Sequence, residues 1–229
     1  DIGGTKTVIG VIDDQTGKVV EKFLIPSKKH RDDKKNLNKI IKHILDLSNK
    51  NKIKNIGLGV PELINNKGII KGNYNFNWHN KNLVNCFPNN LKVIVDSDVR
   101  CHLRAEKYFG VAKNYTNFAY INIGTGLSYA QYKDGKIYSG AKGYAIHFAS
   151  SKIILYDWKK NKKTSLIPEE YYSGKEIIKI LSINNNIKKK KILNNVAESL
   201  ASLIGSLINS IDPDKLVLGG GVIINIAYF

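Results

Sequence analysis

The chain has 229 residues, 42% hydrophobic and 24% charged, enough to bury the core of one large domain or two compact ones. No apolar run approaches the roughly 18 residues of a membrane span and no basic-then-apolar leader opens the sequence, so the expectation is a soluble cytoplasmic protein with no membrane partner. The formal net charge of +17 would suit nucleic acid, but the lysines are spread along the chain and interleaved with asparagines. The field is therefore assigned to steering a small anionic ligand, not to nucleic acid. Cys86 and Cys101, the two cysteines, lack the spacing of a disulfide framework or a structural zinc site and are each expected to be buried, reduced thiols.

The chain opens at Asp1-Ile2-Gly3-Gly4, which reads as the end of a strand, and it contains no Met, a pattern expected where residues are missing at the ends or at methionine positions. Thr7 to Asp13 and Val19 to Ile25 are β-branched runs around the turn signal Gln15-Thr16-Gly17-Lys18, which predicts a hairpin. Leu37, Ile40, Ile41, Ile44, Leu45 and Leu47 recur at helical spacing and predict a helix over Asp33 to Asn49. Ile53 to Val60 is the next strand, and Asn65-Asn66-Lys67-Gly68 a second hairpin turn. A short helix is expected near His79 to Cys86. A strand from Leu91 to Val95 then delivers Asp96-Ser97-Asp98, and a helix from Val99 to Tyr108 stops at Gly110.

The grammar then repeats. Phe118 to Ile123, the turn Gly124-Thr125-Gly126, Leu127 to Tyr132 and the turn Lys133-Asp134-Gly135-Lys136 restate the opening pattern of strand, glycine turn, strand, turn, strand. Such duplication is the mark of two related domains facing each other. The lysine run Lys188 to Lys191 is expected in a loop or at an exposed helix end. Val196, Leu200, Leu203, Ile204, Leu207, Ile208 and Ile211 mark a long amphipathic helix broken at Asp212-Pro213, followed by strand Leu216 to Leu218 and Gly219-Gly220-Gly221.

Three glycine clusters thus stand where strands turn, and glycine lets backbone N–H groups approach phosphate oxygens closely. A single such cluster is no more than a hairpin turn; three in these places are harder to dismiss. Asp1-Ile2-Gly3-Gly4-Thr5-Lys6, Ile123-Gly124-Thr125-Gly126 and Asp212-Pro213 with Leu218-Gly219-Gly220-Gly221-Val222 resemble the first phosphate, second phosphate and adenosine motifs of the ROK family of sugar kinases and sugar-responsive repressors. Gly59-Val60-Pro61, Asn75-Phe76-Asn77-Trp78 and Asp134-Gly135-Lys136-Ile137-Tyr138 extend the resemblance over nearly the whole chain.

The resemblance implies an α/β, two-domain actin-like ATPase (ribonuclease H-like) fold with a cleft between the domains. Residues 1–115 would form an N-terminal domain with the first phosphate motif and the catalytic Asp. Residues 116–229 would form a C-terminal domain with the second phosphate and adenosine motifs. It implies a glucokinase-like activity in which ATP and Mg²⁺ phosphorylate a hexose or N-acetylhexosamine, carried by a homodimer. A sugar hydroxyl is a poor nucleophile and needs a carboxylate to orient it and take its proton. The family register gives that role to Asp98, with Asp96 as rival and helix capping as the structural alternative for both. Gly3, Gly4, Thr5, Gly124, Thr125 and Gly126 would bind phosphates, and Gly219, Gly220 and Gly221 the adenosine. Lys6 would either add charge there or stand as an exposed strand lysine. Asp1 would meet Mg²⁺ through water or phosphate. Asn75, Ser97, His147 and Glu169 would contact the sugar, while Trp78 belongs to the core.

The chain also departs from the family. Zinc-bearing members carry Gly-Glu-Ile-Gly-His followed by a cysteine cluster, where this chain reads Tyr144-Ala145-Ile146-His147-Phe148-Ala149. The Glu and the cysteines are missing, so no zinc site is expected, and Ala145 to Leu166 must be held by ordinary packing. His147 is either a sugar contact or a structural histidine, and Glu170 competes with Glu169. Two other functions stay open beside the kinase. One is a sugar- or nucleotide-binding regulator of the repressor type, which usually carries an N-terminal helix-turn-helix domain that is not seen before Asp1. The other is an actin-like ATPase that ignores sugars.

Overall fold

The structure, a computed structural model, describes residues 1–4, 6–27 and 33–225. It is mixed α/β and divides into two compact units, Asp1–Lys113 with Ser139–Tyr144, and Asn114–Tyr138 with Ala145 onward.

In the first unit β1 (Lys6–Ile12) and β2 (Val19–Pro26) form the expected antiparallel hairpin. Asp13 closes its turn by accepting the Thr16 N–H and hydroxyl at 2.7 Å each. The short stretch Asp1–Ile2 lies along β1, with the Val8 N–H donating to Asp1 O at 2.7 Å, and the Ile2 N–H reaches Gly59 O at 2.8 Å. Helix α1 (Asp33–Lys50) turns Leu37, Ile40, Ile44 and Leu47 into the core. Strands β3 (Asn55–Val60) and β4 (Lys92–Ser97) are parallel, with Val60 opposite Ser97. That register brings the carboxyl ends of both strands to one level, so Pro61-Glu62 and Ser97-Asp98 emerge side by side, as in other open α/β sheets that bind ligands at that edge. Helix α2 (Asp98–Tyr108) follows directly.

Phe76 and Trp78 are fully buried and stacked with centroids 4.2 Å apart. Where a short helix was expected over His79 to Cys86, only a 3₁₀ turn at Leu83–Cys86 forms, capped by the Asn82 side chain. Lys81 N–H is spent on Trp78 O and Asn80 N–H on Ile70 O, so the preceding residues are held as a bend. Of the two thiols, Cys101 is half-buried but Cys86 is exposed, against expectation. Cys86 closes that surface turn and faces no core.

The second unit is built on a four-stranded sheet in the order β10-β5-β6-β7. Strands β5 (Phe118–Ile123), β6 (Leu127–Lys133) and β7 (Lys136–Tyr138) are an antiparallel meander, and the last strand of the chain, β10 (Lys215–Gly219), runs parallel to β5. Asp134 and Gly135, at φ 49° and 75°, give the β6–β7 turn the left-handed backbone that matches strand twist. A glycine turn and an antiparallel hairpin occur in both units, but the parallel strand joins the hairpin's sheet only here, since β3 and β4 pair in a sheet of their own.

Between β7 and β10 the chain forms β8 (Ile153–Asp157), β9 (Lys162–Leu166), α3 (Pro168–Tyr172), α4 (Gly174–Leu181) and α5 (Asn186–Ile211). Lys188–Lys191 lie at the largely exposed start of α5, whose buried stripe is Val196, Leu200 and Ile204. The helix ends at Asp212 in a left-handed cap before Pro213. A short α6 (Gly221–Asn225) follows β10. One expectation fails here. Packing holds Ala145 to Leu166 only as far as Ile146 and Ala149, which are buried, whereas every residue of β8 is exposed and the β8–β9 hairpin stands out from the unit. Cross-strand hydrogen bonds, not core burial, organise it.

Trp78 Nε1 has no hydrogen-bond partner among the described residues, so its value lies in packing alone. Trp78→Ala should cost about 3–5 kcal/mol in urea unfolding followed by circular dichroism, and Trp78→Phe under about 1.5 kcal/mol, because it removes an unmatched donor together with some volume.

Candidate functional site

In the first unit the polar residues gather at the carboxyl ends of β3 and β4. Ser97 is the N-cap of α2, but its side chain makes no capping bond and its buried Oγ finds no partner among the described residues. Asp96 and Asp98, two residues apart, have different surroundings. Asp96 is buried and holds the Ser97 N–H at 2.8 Å and Arg100 Nε at 2.6 Å with Oδ1, while Oδ2 pairs with Arg104. Arg100 is itself 3% exposed and sends its remaining nitrogens to Gly143 O at 2.8 Å and Ile64 O at 3.2 Å. Asp98 opens α2, and its Oδ1 accepts the Val99 N–H at 2.7 Å. Desolvation raises its carboxyl above the ordinary value of 3.8, opposed by the Val99 N–H and by His102 and reinforced slightly by Glu62.

At Gly59 the backbone of Asp98 comes near the chain's opening residue. A Cβ there would lie 3.5 Å from Cys101 Sγ, 3.6 Å from the Asp98 Cα and 3.7 Å from Asp1 Oδ1. Asp1 and Asp98 therefore flank one bare glycine. The turn that follows is tight, with the Gly3 N–H donating to Lys6 O at 2.9 Å. A Cβ on Gly4 would lie 2.8 Å from Asn75 Oδ1, so the glycine admits that carboxamide, which is anchored by Asn75 Nδ2 to Pro61 O at 2.9 Å. Thr5 lies outside the described residues, and Lys6 is exposed at the start of β1.

The second unit gathers its own set. The Gly124 N–H donates to Gly126 O at 3.1 Å, and Gly124 O accepts the N–H of Gly174, first residue of α4, at 2.7 Å. Gly220, at φ 99°, lies so close to this turn that a Cβ would meet Ile123 O at 2.5 Å and Asn122 Oδ1 at 2.6 Å. Gly124, Gly174 and Gly220 thus come together as backbone, and a Cβ on Gly174 would strike Gly124 O as one on Gly220 would strike Ile123 O. Glu169 from α3 reaches the same turn, its Oε1 accepting the Leu127 N–H at 2.9 Å, and a side chain at Gly126 would strike it. Desolvation holds the His147 ring below its ordinary value although much of the residue is exposed, and the Glu169 carboxylate opposes that shift. Glu170 directs no bond to the turn. The residues picked out in sequence therefore fall into two groups: Asp1, Gly3, Gly4, Asn75, Ser97 and Asp98 in one unit, the remaining glycines with Thr125, His147 and Glu169 in the other.

Sequence reasoning passed over Glu62 and gave Arg100 no role, whereas Ser173 and Gly174 open a helix as the sequence suggested. A lone acidic residue in the otherwise apolar stretch Ile56 to Ile64 is the signal that could have drawn attention to Glu62, since carboxylates are seldom buried without cause.

Among the described residues no three or more His, Cys, Asp and Glu side chains are grouped as a metal site. A single carboxylate such as Asp1 suits a hard cation that keeps most of its waters and takes its other ligands from phosphate.

The model of the ROK family matches residues 1–149 and 147–228. Over 186 residues the chain is 26% identical to the xylose repressor of Bacillus subtilis, covering 73% of this chain and 48% of that protein. Over 147 residues it is 25% identical to a glucokinase of Thermotoga maritima, covering 62% and 46%. The chain spans about half the length of these two curated relatives. In fold it matches a ROK family glucokinase from Streptomyces griseus, solved with glucose and AMPPNP, at a TM-score of 0.79 and 19% identity over 96% of this chain and 81% of that one. The relatives include both sugar kinases and repressors.

The raised Asp98 carboxyl has a consequence for stability. The folded protein holds this proton more tightly than the unfolded chain, so ionisation costs stability as pH rises through the unfolded value of 3.8 toward the folded one. Asp98→Asn should therefore raise the urea midpoint at pH 7, and the gain should shrink as pH falls toward about 4 and be gone below it.

Proposed function

The chain belongs to the ROK family, and from that membership we propose that it is an ATP-dependent kinase of a hexose or N-acetylhexosamine, built on the actin-like ATPase fold, with Asp98 as general base. The observation that carries the proposal is the division of labour between two neighbouring carboxylates. Asp96 has both oxygens committed to arginines, whereas Asp98 is paired with no arginine among the described residues and accepts one amide N–H with Oδ1, and in this reading its carboxylate takes the incoming hydroxyl. A raised carboxyl pKa also suits a base that must accept a proton near neutrality.

In this reading the Asp98 carboxylate hydrogen-bonds the acceptor hydroxyl and takes its proton as the new O–P bond forms and the β,γ-bridging P–O bond of ATP breaks, releasing ADP. Asn75, Ser97, His147 and Glu169 orient the sugar. Residues 1–115 supply the base and, in Gly3, Gly4, Thr5 and Lys6, the first phosphate contacts. Residues 116–229 supply the second set at Gly124, Thr125 and Gly126, and the adenosine contacts at Gly219, Gly220 and Gly221. Asp1 would hold Mg²⁺ through water or phosphate, and that ion would neutralise charge on the transferred group. Self-association as a homodimer in the cytoplasm completes the proposal.

The repressor relatives favour a second reading, a regulator that binds the sugar without phosphorylating it. Missing the family's sugar-gripping Glu weakens hydroxyl recognition, and that loss bears on substrate choice in either reading.

A coupled ADP-release assay with Mg·ATP over glucose, fructose, mannose, N-acetylglucosamine and N-acetylmannosamine separates the two. Sugar-dependent ADP that Asp98→Asn lowers by roughly 10²- to 10⁴-fold is the expected outcome. Sugar binding by calorimetry with no sugar-dependent ADP would establish the regulator instead.

A further inference from the structure

We propose that Glu62 is a positioning residue for sugar binding, acting through the backbone of Tyr74–Phe76 to hold the Asn75 carboxamide in place. The inference rests on the reading of Asn75 as a sugar contact and goes beyond it, because nothing in the family motifs assigns Glu62 a part.

Glu62 is 2% exposed, and a carboxylate is costly to bury without compensation. Its compensation is unusually directed. Oε1 accepts the Asn75 N–H at 2.6 Å and the Phe76 N–H at 3.1 Å, and Oε2 accepts the Tyr74 N–H at 3.0 Å. Three consecutive amides thus point at one side chain, a backbone nest closed around an anion. Such charge-assisted bonds are shorter and stronger than neutral ones. They fix the peptide planes on both sides of the Asn75 Cα, and hence the direction of its side chain.

The sequence also makes room for this carboxylate. A side chain at Gly72 would run into Glu62 Oε2 and lie 3.0 Å from the Leu63 N and 3.2 Å from Tyr74. Gly72 and Glu62 are a matched pair. Downstream, the stacked Phe76 and Trp78 anchor the loop in the core, so the segment is held from one side by apolar packing and from the other by a single anion. Asn75 projects between these anchors, its Oδ1 beside Gly4 and its Nδ2 on Pro61 O. The strand register that sets Val60 opposite Ser97 puts Glu62 one turn of chain beyond β3, at the same end of the sheet as Asp98. Glu62 reads as the device that sets the sugar-side loop relative to the base.

The test is isothermal calorimetry of sugar binding, over the same five-sugar panel, for the wild-type chain, Glu62→Gln, Asn75→Ala and the double variant, with a thermal melt of each. Gln keeps the volume but loses the charge and turns an NH₂ group toward the amides. Each single variant should weaken binding about tenfold, the loss of one charge-assisted contact. If Glu62 acts through Asn75, the double variant should be no more than about twofold worse than either single one, not the hundredfold product of independent sites. Gly72→Ala, which displaces the carboxylate without removing its charge, should reproduce the loss of affinity and serves where Glu62→Gln fails to fold. Wild-type affinity in Glu62→Gln or Gly72→Ala, or multiplicative losses in the double variant, would overturn the proposal. Sugar binding without ADP release in the wild type would sink the kinase reading and leave this one standing. No sugar binding by the wild type would overturn both.

Discussion

The carboxylate of Asp96 is buried between two arginines, and the rest of the first unit's polar edge is arranged around that neutralisation. Arg100 is 3% exposed and must find its hydrogen-bond partners almost entirely within the protein. It does so by spanning four pieces of chain: Asp96 at the end of β4, its own helix α2, Ile64 O after β3, and Gly143 O in the short segment that returns from the second unit's sequence. One side chain thereby fixes how the loops after β3 and β4 lie against the start of α2. Removing either member of the pair would strand a buried charge, a far larger penalty than the net worth of the contact. The same arrangement sorts two carboxylates of like chemistry. Asp96 is consumed as structure, and Asp98, one helical step on, is left in a desolvated place where its ionised form is disfavoured.

A second constraint is that several anions share this edge. Asp1, Glu62, Asp96 and Asp98 come to the ends of the same strands although the chain as a whole carries a formal charge of +17. Each is handled differently: Asp96 by arginines, Glu62 by three amides, Asp98 by a single amide and the nearby His102. Cys101 between them adds no charge, because burial first and Asp96 next push its thiol up to about 11. Local fields here are set by a few oriented groups, while the diffuse lysine charge acts on solution approach.

What could be read from sequence was what local chemistry decides. The hairpin of β1 and β2, the left-handed turn at Asp134-Gly135 and the stop at Asp212-Pro213 each follow from residues within a few positions of one another. The glycine clusters were visible for the same reason, though only the fold explains their need: Gly220 is bare because Ile123 O and Asn122 occupy the space, and Gly4 because Asn75 does. The expectations that failed depended on tertiary supply of contacts. Ile153, Leu155 and Tyr156 have the composition of a buried strand, yet nothing among the described residues covers them, and they stand exposed on a hairpin. Cys86 looked like core because isolated cysteines usually are, but it closes a surface turn. Glu62 was passed over because its partners are backbone amides more than ten residues away, and backbone amides have no signature in sequence. That Asp96 pairs with Arg100 and Arg104 was likewise hidden, because these side chains look like ordinary helix surface until the helix is placed.

The same edge can serve a sugar kinase or a sugar-binding regulator, and the difference between the two is small in structural terms. Binding a sugar needs carboxamides, hydroxyls and carboxylates held in fixed directions, which the anchoring of Asn75 from both sides provides. Transfer needs in addition one group whose proton affinity is matched to the reacting hydroxyl. Desolvation raises the proton affinity of Asp98, at a cost to the stability of its ionised form. A desolvated carboxylate serves as an acceptor for sugar hydroxyls in either case, so what separates the two is whether a phosphoryl group is transferred, not whether the sugar is held.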